Sequence, residues 1–327
     1  MTALGYALLT EEHEALPLVH NAVRAEEAGF SFATVSDHFH PWTGTGSQGH
    51  SPFVWSVLGA VAQATDAMVL GTGVTCPIMR FHPVLAAQAA ATMATLAPGR
   101  FFFGVGAGEY LNEHVLGDVW PVTETRHEML REAIHIIREL WRGEEWTFDG
   151  TFFAVDRAQI YSLPETLPPI LVAASGEMAA TLAAEEGDGL ITTSPDAELV
   201  SGWKEHGGQG PRMGMLHLAY AKTEDEGRRI LAKHWPHAPL PGHMNADLRT
   251  PAEFEAASKF IRLEDYDEST PVGPDPEPVL RQIREYADAG FDHVVLHQIG
   301  PEQKGFIDFF AKEIAPALEL SPATLGS

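Results

Sequence analysis

Apolar runs of six to ten residues alternate with longer stretches of helical periodicity along almost the whole chain. "LGYALL" (4–9) precedes an apolar-periodic stretch at 15–29, and "FATVSD" (32–37) follows. "AMVLGTGVTC" (67–76) precedes the alanine-rich "PVLAAQAAATMATLA" (83–97). "RFFFGVGAG" (100–108) precedes a stretch at about 124–143, where "HEMLREAIHIIRELW" repeats its apolar positions every 3.6 residues. "PPILVAAS" (168–175) leads into "EMAATLAAEEG", which ends at Gly187, and "GLITTS" (189–194) into a short polar helix near 196–203. "RMGMLHLAYA" (212–221) precedes "EDEGRRILAKHW", and "DHVVLHQIG" (292–300) precedes a helix at 304–318.

Continuous apolar strands separated by helices indicate a parallel sheet covered on its outer face. Eight strand–helix units predict an α/β fold that closes, a (β/α)8 TIM barrel, rather than an open sheet. A length of 327 residues suits one such domain over 1–327. Two stretches interrupt the alternation. Residues 144–167 predict a small hairpin turning at Asp149-Gly150, and residues 236–275 form a Pro-rich, charged insertion before the last helix–strand pair.

Forty-five acids against 21 bases give a net charge of −24, which disfavours nucleic acid and anionic membranes as partners. The single cysteine, Cys76, excludes an intrachain disulfide and fits a cytoplasmic protein. The start of the chain carries no signal-peptide pattern, and no apolar run reaches membrane-span length.

Barrel enzymes carry their chemistry at the C-terminal strand ends. Strand one ends at Glu11 and Glu12; strand two at Asp37, His38, His40 and Trp42 in "SDHFHPW"; strand four in "GVGAGEYLNE" (104–113). His38 is the leading proton-transfer candidate, since histidine titrates near working pH. Trp42 reads as a ring stacked over a ligand or as a plug. Glu109 reads as a partly desolvated proton donor or as an acid at a helix N-terminus. Asn112 reads as a cap or a ligand contact. Gly71, Gly73, Gly104, Gly106, Gly108 and Gly176 suggest close backbone approach to a large flat cofactor across the rim. "GVGAGE" is not a dinucleotide fingerprint, because Glu109 stands at the third glycine position.

Taken together, "LGY" (4–6), "AEEAGFSFATVSDHFHPW" (25–42), "LGTGVTCPIMRFHP" (70–83), "GRFFFGVGAGEYLNE" (99–113), "FDGTFF" (148–153), "AASG" (173–176), "GDGLITTS" (187–194) and "GFDHVVLH" (290–297) cover most of the chain. They resemble the luciferase-like hydride transferases that use the deazaflavin coenzyme F420, in particular the F420-dependent glucose-6-phosphate dehydrogenase group. The resemblance implies a luciferase-like TIM barrel, commonly a homodimer, that moves a hydride between a carbinol carbon and the deazaflavin. It implies catalytic roles for His38, Trp42, Glu109 and Glu11, with either His38 or Glu11 taking the hydroxyl proton. It implies cofactor contacts from Asp37, Gly73, Val74, Gly108, Asn112, Ala174, Ser175, Gly176, Thr193 and Ser194, and a cis peptide at Gly73-Val74.

The chain departs from the group where a lysine after strand six binds the substrate phosphate. Asp196 stands there, and Ala256 and Thr270 stand near two further cationic positions. An aspartate repels a phosphate. The expectation is therefore a neutral alcohol or ketone, with a sugar 6-phosphate held by Lys259 or Arg262 as the alternative. A metal-dependent barrel hydrolase using His38, His40, His217 and His297, a non-catalytic F420 carrier and a flavin mononucleotide site are the further alternatives. No metal is expected, and His40 is expected to be structural.

Overall fold

The computed structural model describes residues 2–44, 49–266 and 269–325. Eight parallel strands close into a barrel in sequential order: Ala3–Leu8, Phe32–Val35, Val69–Thr72, Phe101–Val105, Ile170–Ala173, Gly189–Thr192, Arg212–Leu218 and His293–Gln298. These are the eight expected strands: the first is as long as its six-residue run, and the other seven are two to six residues shorter than theirs, because the runs continue into the flanking loops. The first strand pairs with both the second and the last, which removes every edge.

Alternation along the strands divides the core in two. Leu4, Tyr6, Ala33, Val35, Leu70, Phe103, Val172, Leu216 and Leu296 pack outward against the helices. Ala3, Ala7, Phe32, Val69, Phe102, Leu171, Ile191, Met213 and Val295 fill the interior. His217 and His297 continue the interior set and lie opposite one another in the register of the last two strands.

The helices Ala15–Glu27, Pro83–Leu96, Thr123–Leu140, Glu177–Glu186, Ala197–Glu205 and Glu224–His234 match the predicted stretches. The expected C-terminal helix changes pitch: Gln303–Phe309 is α-helical, Phe310–Ile314 is a π-turn and Ala315–Ala317 is 3-10. A helix at Val54–Ala64 lies outside the predicted set, although Val54, Val57, Leu58, Val61 and Ala62 form its buried stripe at helical spacing. The hairpin pairs Trp146–Asp149 with Ala154–Ala158, and Glu132 holds its turn by accepting the amides of Thr151, Phe152 and Phe153. The long insertion contains two short helices, Gly242–Asp247 and Pro251–Ser258. Its residues 267–268 lie outside the described residues.

Candidate active site

Asp37 is where the second strand gives way to its loop. Its carboxylate is buried and fully engaged: Oδ2 accepts from Thr75 Oγ1 at 2.8 Å and Oδ1 from the Arg80 guanidinium at 2.8 Å. Arg80 also donates its backbone N–H to Glu113 at 2.8 Å and places Nε 3.6 Å from the same carboxylate. Burial raises Glu113 to about 7, with Arg80 pulling the other way. Burial also raises the Cys76 thiol, which stays neutral beside Glu113. The expected cofactor-facing Asp37 is thus an internal anchor for the loop that carries His38 and Trp42.

Asn112 is a second anchor. Its Oδ1 accepts the backbone N–H of Phe39 at 2.9 Å and of His40 at 3.2 Å. Its Nδ2 donates to Glu109 Oε2 at 3.2 Å. Glu109 occupies the N-cap position of the short helix Tyr110–Glu113 without capping it. His40 turns away from His38: its Nδ1 contacts the Leu111 carbonyl at 2.9 Å, and its ring stacks on His114. That is the structural role expected of His40, and it separates the His-x-His pair that the hydrolase alternative needs.

His38 Nδ1 lies 3.1 Å from the His40 carbonyl and 3.3 Å from Asn112 Nδ2. A carbonyl only accepts, whereas a bond from Asn112 needs a lone pair on the same nitrogen, and the shorter of the two contacts, to the carbonyl, assigns the proton to Nδ1. Nε2 is left with a lone pair, 3.8 Å from Glu11 Oε1. Glu11 is held from the other side by Ser36 Oγ, which donates to Oε2 at 2.5 Å. Trp42 tilts over His38 at a centroid distance of 4.9 Å and stacks on His237 at 4.7 Å, with Phe254 against its edge. His237 in turn meets Trp235 at 4.6 Å. Its Nδ1 is buried with no hydrogen-bond partner among the described residues, and burial lowers its pKa, so the ring is neutral.

Sequence reasoning left one group unassigned. Glu12 Oε1 is 2.9 Å from His297 Nε2, and His297 Nδ1 is 2.8 Å from His217 Nδ1. Burial raises Glu12 to about 8 and lowers His297 to about 4 and His217 to about 3. Each residue is visible in the sequence, but the strand register that joins them is not.

The glycines divide by environment. A Cβ on Gly71 would meet the Phe102 ring at 2.2 Å, and on Gly104 the Thr72 carbonyl at 2.0 Å. Gly73 and Gly106 likewise abut Thr34 and Val74, and Gly108, in the loop after the fourth strand with φ +77°, abuts Cys76, so close packing accounts for a glycine at each of these five positions. Of the six glycines expected near the cofactor, Gly176 alone faces open space. It lies with Ser175, Thr193 and Ser194 on the exposed rim at the ends of strands five and six, while Ala174 is buried beneath them. The Gly73-Val74 peptide is cis. Asp196 caps the helix Ala197–Glu205 through Leu199 N at 2.9 Å. Arg262 is exposed and paired with Glu264 and Asp265, and Lys259 is exposed at the end of Pro251–Ser258. Among the described residues no three His, Cys, Asp or Glu side chains converge as a metal site, and no helix is long and apolar enough to cross a membrane.

Comparisons with known proteins agree with this architecture. The chain is 36% identical over 329 residues to the F420-dependent glucose-6-phosphate dehydrogenase of Mycobacterium avium (strain 104), covering 96% of this chain and 97% of the relative. It is 37% identical over 330 residues to the protein of the same name from Nocardia farcinica (strain IFM 10152), with the same coverage. A solved F420-dependent secondary alcohol dehydrogenase, in complex with an F420-acetone adduct, superimposes with a TM-score of 0.89 at 30% identity, covering 97% of this chain and 99% of that one. The F420-dependent tetrahydromethanopterin reductase of Methanopyrus kandleri shares the fold, with a TM-score of 0.74 at 20% identity, 97% of this chain and 99% of that one. With residues 3–293 also matching the family profile over the closed parallel barrel, the chain belongs to the luciferase-like monooxygenase family.

Proposed function

We propose that the chain is a coenzyme F420-dependent dehydrogenase that acts on a CH–OH group. The observation that carries this reading is the Glu11–His38 pair, 3.8 Å apart with the lone pair of His38 Nε2 on the Glu11 side, in a chain whose relatives are named for F420. The residues present fit a deazaflavin. Val74, Gly108, Ser175, Gly176, Thr193 and Ser194 would hold it, and Gly176 leaves the rim open where a Cβ would intrude. When bound, the deazaflavin supplies a two-electron acceptor at its central ring carbon.

His38 holds the hydroxyl proton at Nε2. Its Nδ1–H is fixed by the His40 carbonyl, so the base is presented in one tautomer. Glu11 then lies beside the imidazolium that forms and stabilises it. Trp42 closes the face of His38 against water. Asn112 and Asp37 position the loop, and Asn112 orients Glu109.

For the substrate, the relatives' names favour glucose 6-phosphate, the alternative in the sequence reading, over the neutral alcohol that the sequence reading preferred. A specific observation supports the neutral alcohol as a second reading. Asp196 is spent as a helix cap, Arg80 is buried between two carboxylates, and Arg262 is paired outside the site. The folding unit is read as one barrel domain over 1–327 that forms a cytoplasmic homodimer.

Titration with F420 and with flavin mononucleotide, followed by intrinsic tryptophan fluorescence, tests the cofactor. Absence of F420 binding at micromolar concentration refutes the reading. Turnover of glucose 6-phosphate against simple secondary alcohols decides the substrate.

A further inference from the structure

Glu12, His297 and His217 are joined end to end by hydrogen bonds and have no part in the chemistry above. The geometry of the chain leaves few arrangements of its protons. Glu12 Oε2 faces the Gly300 amide N–H at 3.3 Å, so Oε1 is the oxygen that serves His297 Nε2. Two Nδ1 atoms face each other 2.8 Å apart, so one carries a hydrogen and the other does not. If Glu12 is protonated, it donates to His297 Nε2. His297 then donates from Nδ1 to His217, and His217 carries its hydrogen on Nε2. If Glu12 is ionised, the whole chain reverses. His297 donates from Nε2 to the carboxylate, His217 donates from Nδ1 to His297, and His217 Nε2 bears a lone pair.

His297 and Glu12 are fully buried, whereas His217 is partly exposed. Its ring meets Trp235 at 5.8 Å, and Trp235 continues through His237 and Trp42 to His38. Glu11 acts electrostatically on both His217 and His297, and His237 senses His38, His217 and His297 together. The relay therefore ends at the same pocket in which Glu11 and His38 stand.

We propose that Glu12 sets the tautomer of His217 through His297, and so decides whether the pocket offers a substrate oxygen an N–H donor or a lone pair. This rests on the dehydrogenase reading for the identity of the oxygen, but the tautomer coupling does not depend on it. The switch releases one proton. The Glu12 proton moves to His297 Nε2, the His297 Nδ1 proton moves to His217 Nδ1, and the His217 Nε2 proton leaves to water. Both rings stay neutral in both states. The groups facing Glu12 are Glu11, His13, His297, the Gly300 amide and the Tyr6 hydroxyl; those facing His217 are His297, His237 and Glu11. Burial holds the Glu12 proton up to about pH 8, so the donor state belongs below that pH and the lone-pair state above it. A carbonyl oxygen only accepts, so it requires the donor state, whereas a hydroxyl binds to either.

The test uses the apo protein with ¹⁵N-labelled histidine. Long-range ¹H–¹⁵N spectra are recorded from about pH 6 to about pH 10, where ring tautomers and charge give separate nitrogen shifts. The expected result is one transition, shared by His217 and His297, in which Nδ1 and Nε2 of each ring exchange roles and neither ring becomes charged. A single tautomer throughout, or a charged ring in place of the exchange, overturns the proposal. In Glu12→Gln the Gly300 amide favours the amide oxygen and turns the NH2 toward His297, so the donor state is locked and the transition disappears; a transition that survives also overturns it. If that variant does not fold, the wild-type titration alone decides.

The second readout is inhibition by the carbonyl product in the loaded enzyme. Its Ki is expected to weaken roughly tenfold on going above pH 8, the worth of one hydrogen bond, and to be flat with pH in Glu12→Gln. A Ki that stays flat in the wild type overturns the link to the substrate. A protein that turns over nothing with F420 but shows the tautomer transition would refute the function and leave the coupling standing.

Discussion

Replacing Arg80 with methionine removes the one cation between two buried carboxylates. Arg80 bridges Asp37 at 2.8 Å and Glu113 at 3.6 Å, and both carboxylate side chains are 1% exposed. Breaking a buried ion pair on one side costs about 3–5 kcal/mol, because the remaining charge is left without a partner. The unfolding entropy of a 327-residue chain is about 0.7 kcal/mol/K near its midpoint, so the expected loss is roughly 4–7 °C in Tm. The pH dependence gives the sharper test. Glu113 is already raised to about 7 by burial, with Arg80 holding it down. Without Arg80 the folded state binds this proton more tightly still. A group whose folded pKa lies above its unfolded value loses its stabilising contribution as pH rises through the folded pKa. The wild type passes that point near 7 and the variant above it, so the penalty is expected to grow between about pH 6 and about pH 8.5. Calorimetry of both proteins at the two pH values measures it. Equal Tm loss at both, or a loss below about 1 °C, refutes the assignment of Arg80 as the electrostatic centre of this loop.

His38→Ala is expected to abolish turnover while F420 affinity by fluorescence titration changes little; surviving activity would make His38 structural. Gly104→Ala is expected to yield little soluble protein, because its Cβ would lie 2.0 Å from a backbone carbonyl, whereas Gly176→Ala should keep the wild-type Tm and weaken F420 binding. Equal behaviour of the two glycine variants in both assays would refute the division between packing and rim. Glu12 has a folded pKa of about 8 against an ordinary 4.5, so the wild type should lose on the order of a few kcal/mol between those pH values; Glu12→Gln should flatten that slope in denaturant titrations.

The eight strands and most of the helices were legible because hydrophobic period is a local property: a residue's face is fixed by its neighbours in sequence. The barrel followed from the count of units, and the rim from the rule that places chemistry at strand ends. That rule and the resemblance single out His38, Trp42, Glu11 and Glu109 as candidates, and the structure brings Glu11 and Trp42 against His38, with Glu109 linked to the same loop through Asn112. The helix Val54–Ala64 lies outside the predicted set although its buried stripe recurs at helical spacing. Asp37 and Asn112 are expected at the cofactor, and what the sequence does not show is that the Asp37 oxygens accept from Thr75 and Arg80, and that Asn112 bonds Phe39, His40 and Glu109. A sequence shows that a group is able to hydrogen-bond and does not show which partner takes it.

The sequence by itself thus determined the architecture, the family and the residue types at the rim. Only the tertiary structure decided how those residues are shared out. The Glu12–His297–His217 chain joins three strand ends that are 80 or more residues apart, through a register set by side-chain packing across the barrel. Burial then moves each group's proton affinity in a direction that depends on all its neighbours at once, and that is a property of the closed barrel alone.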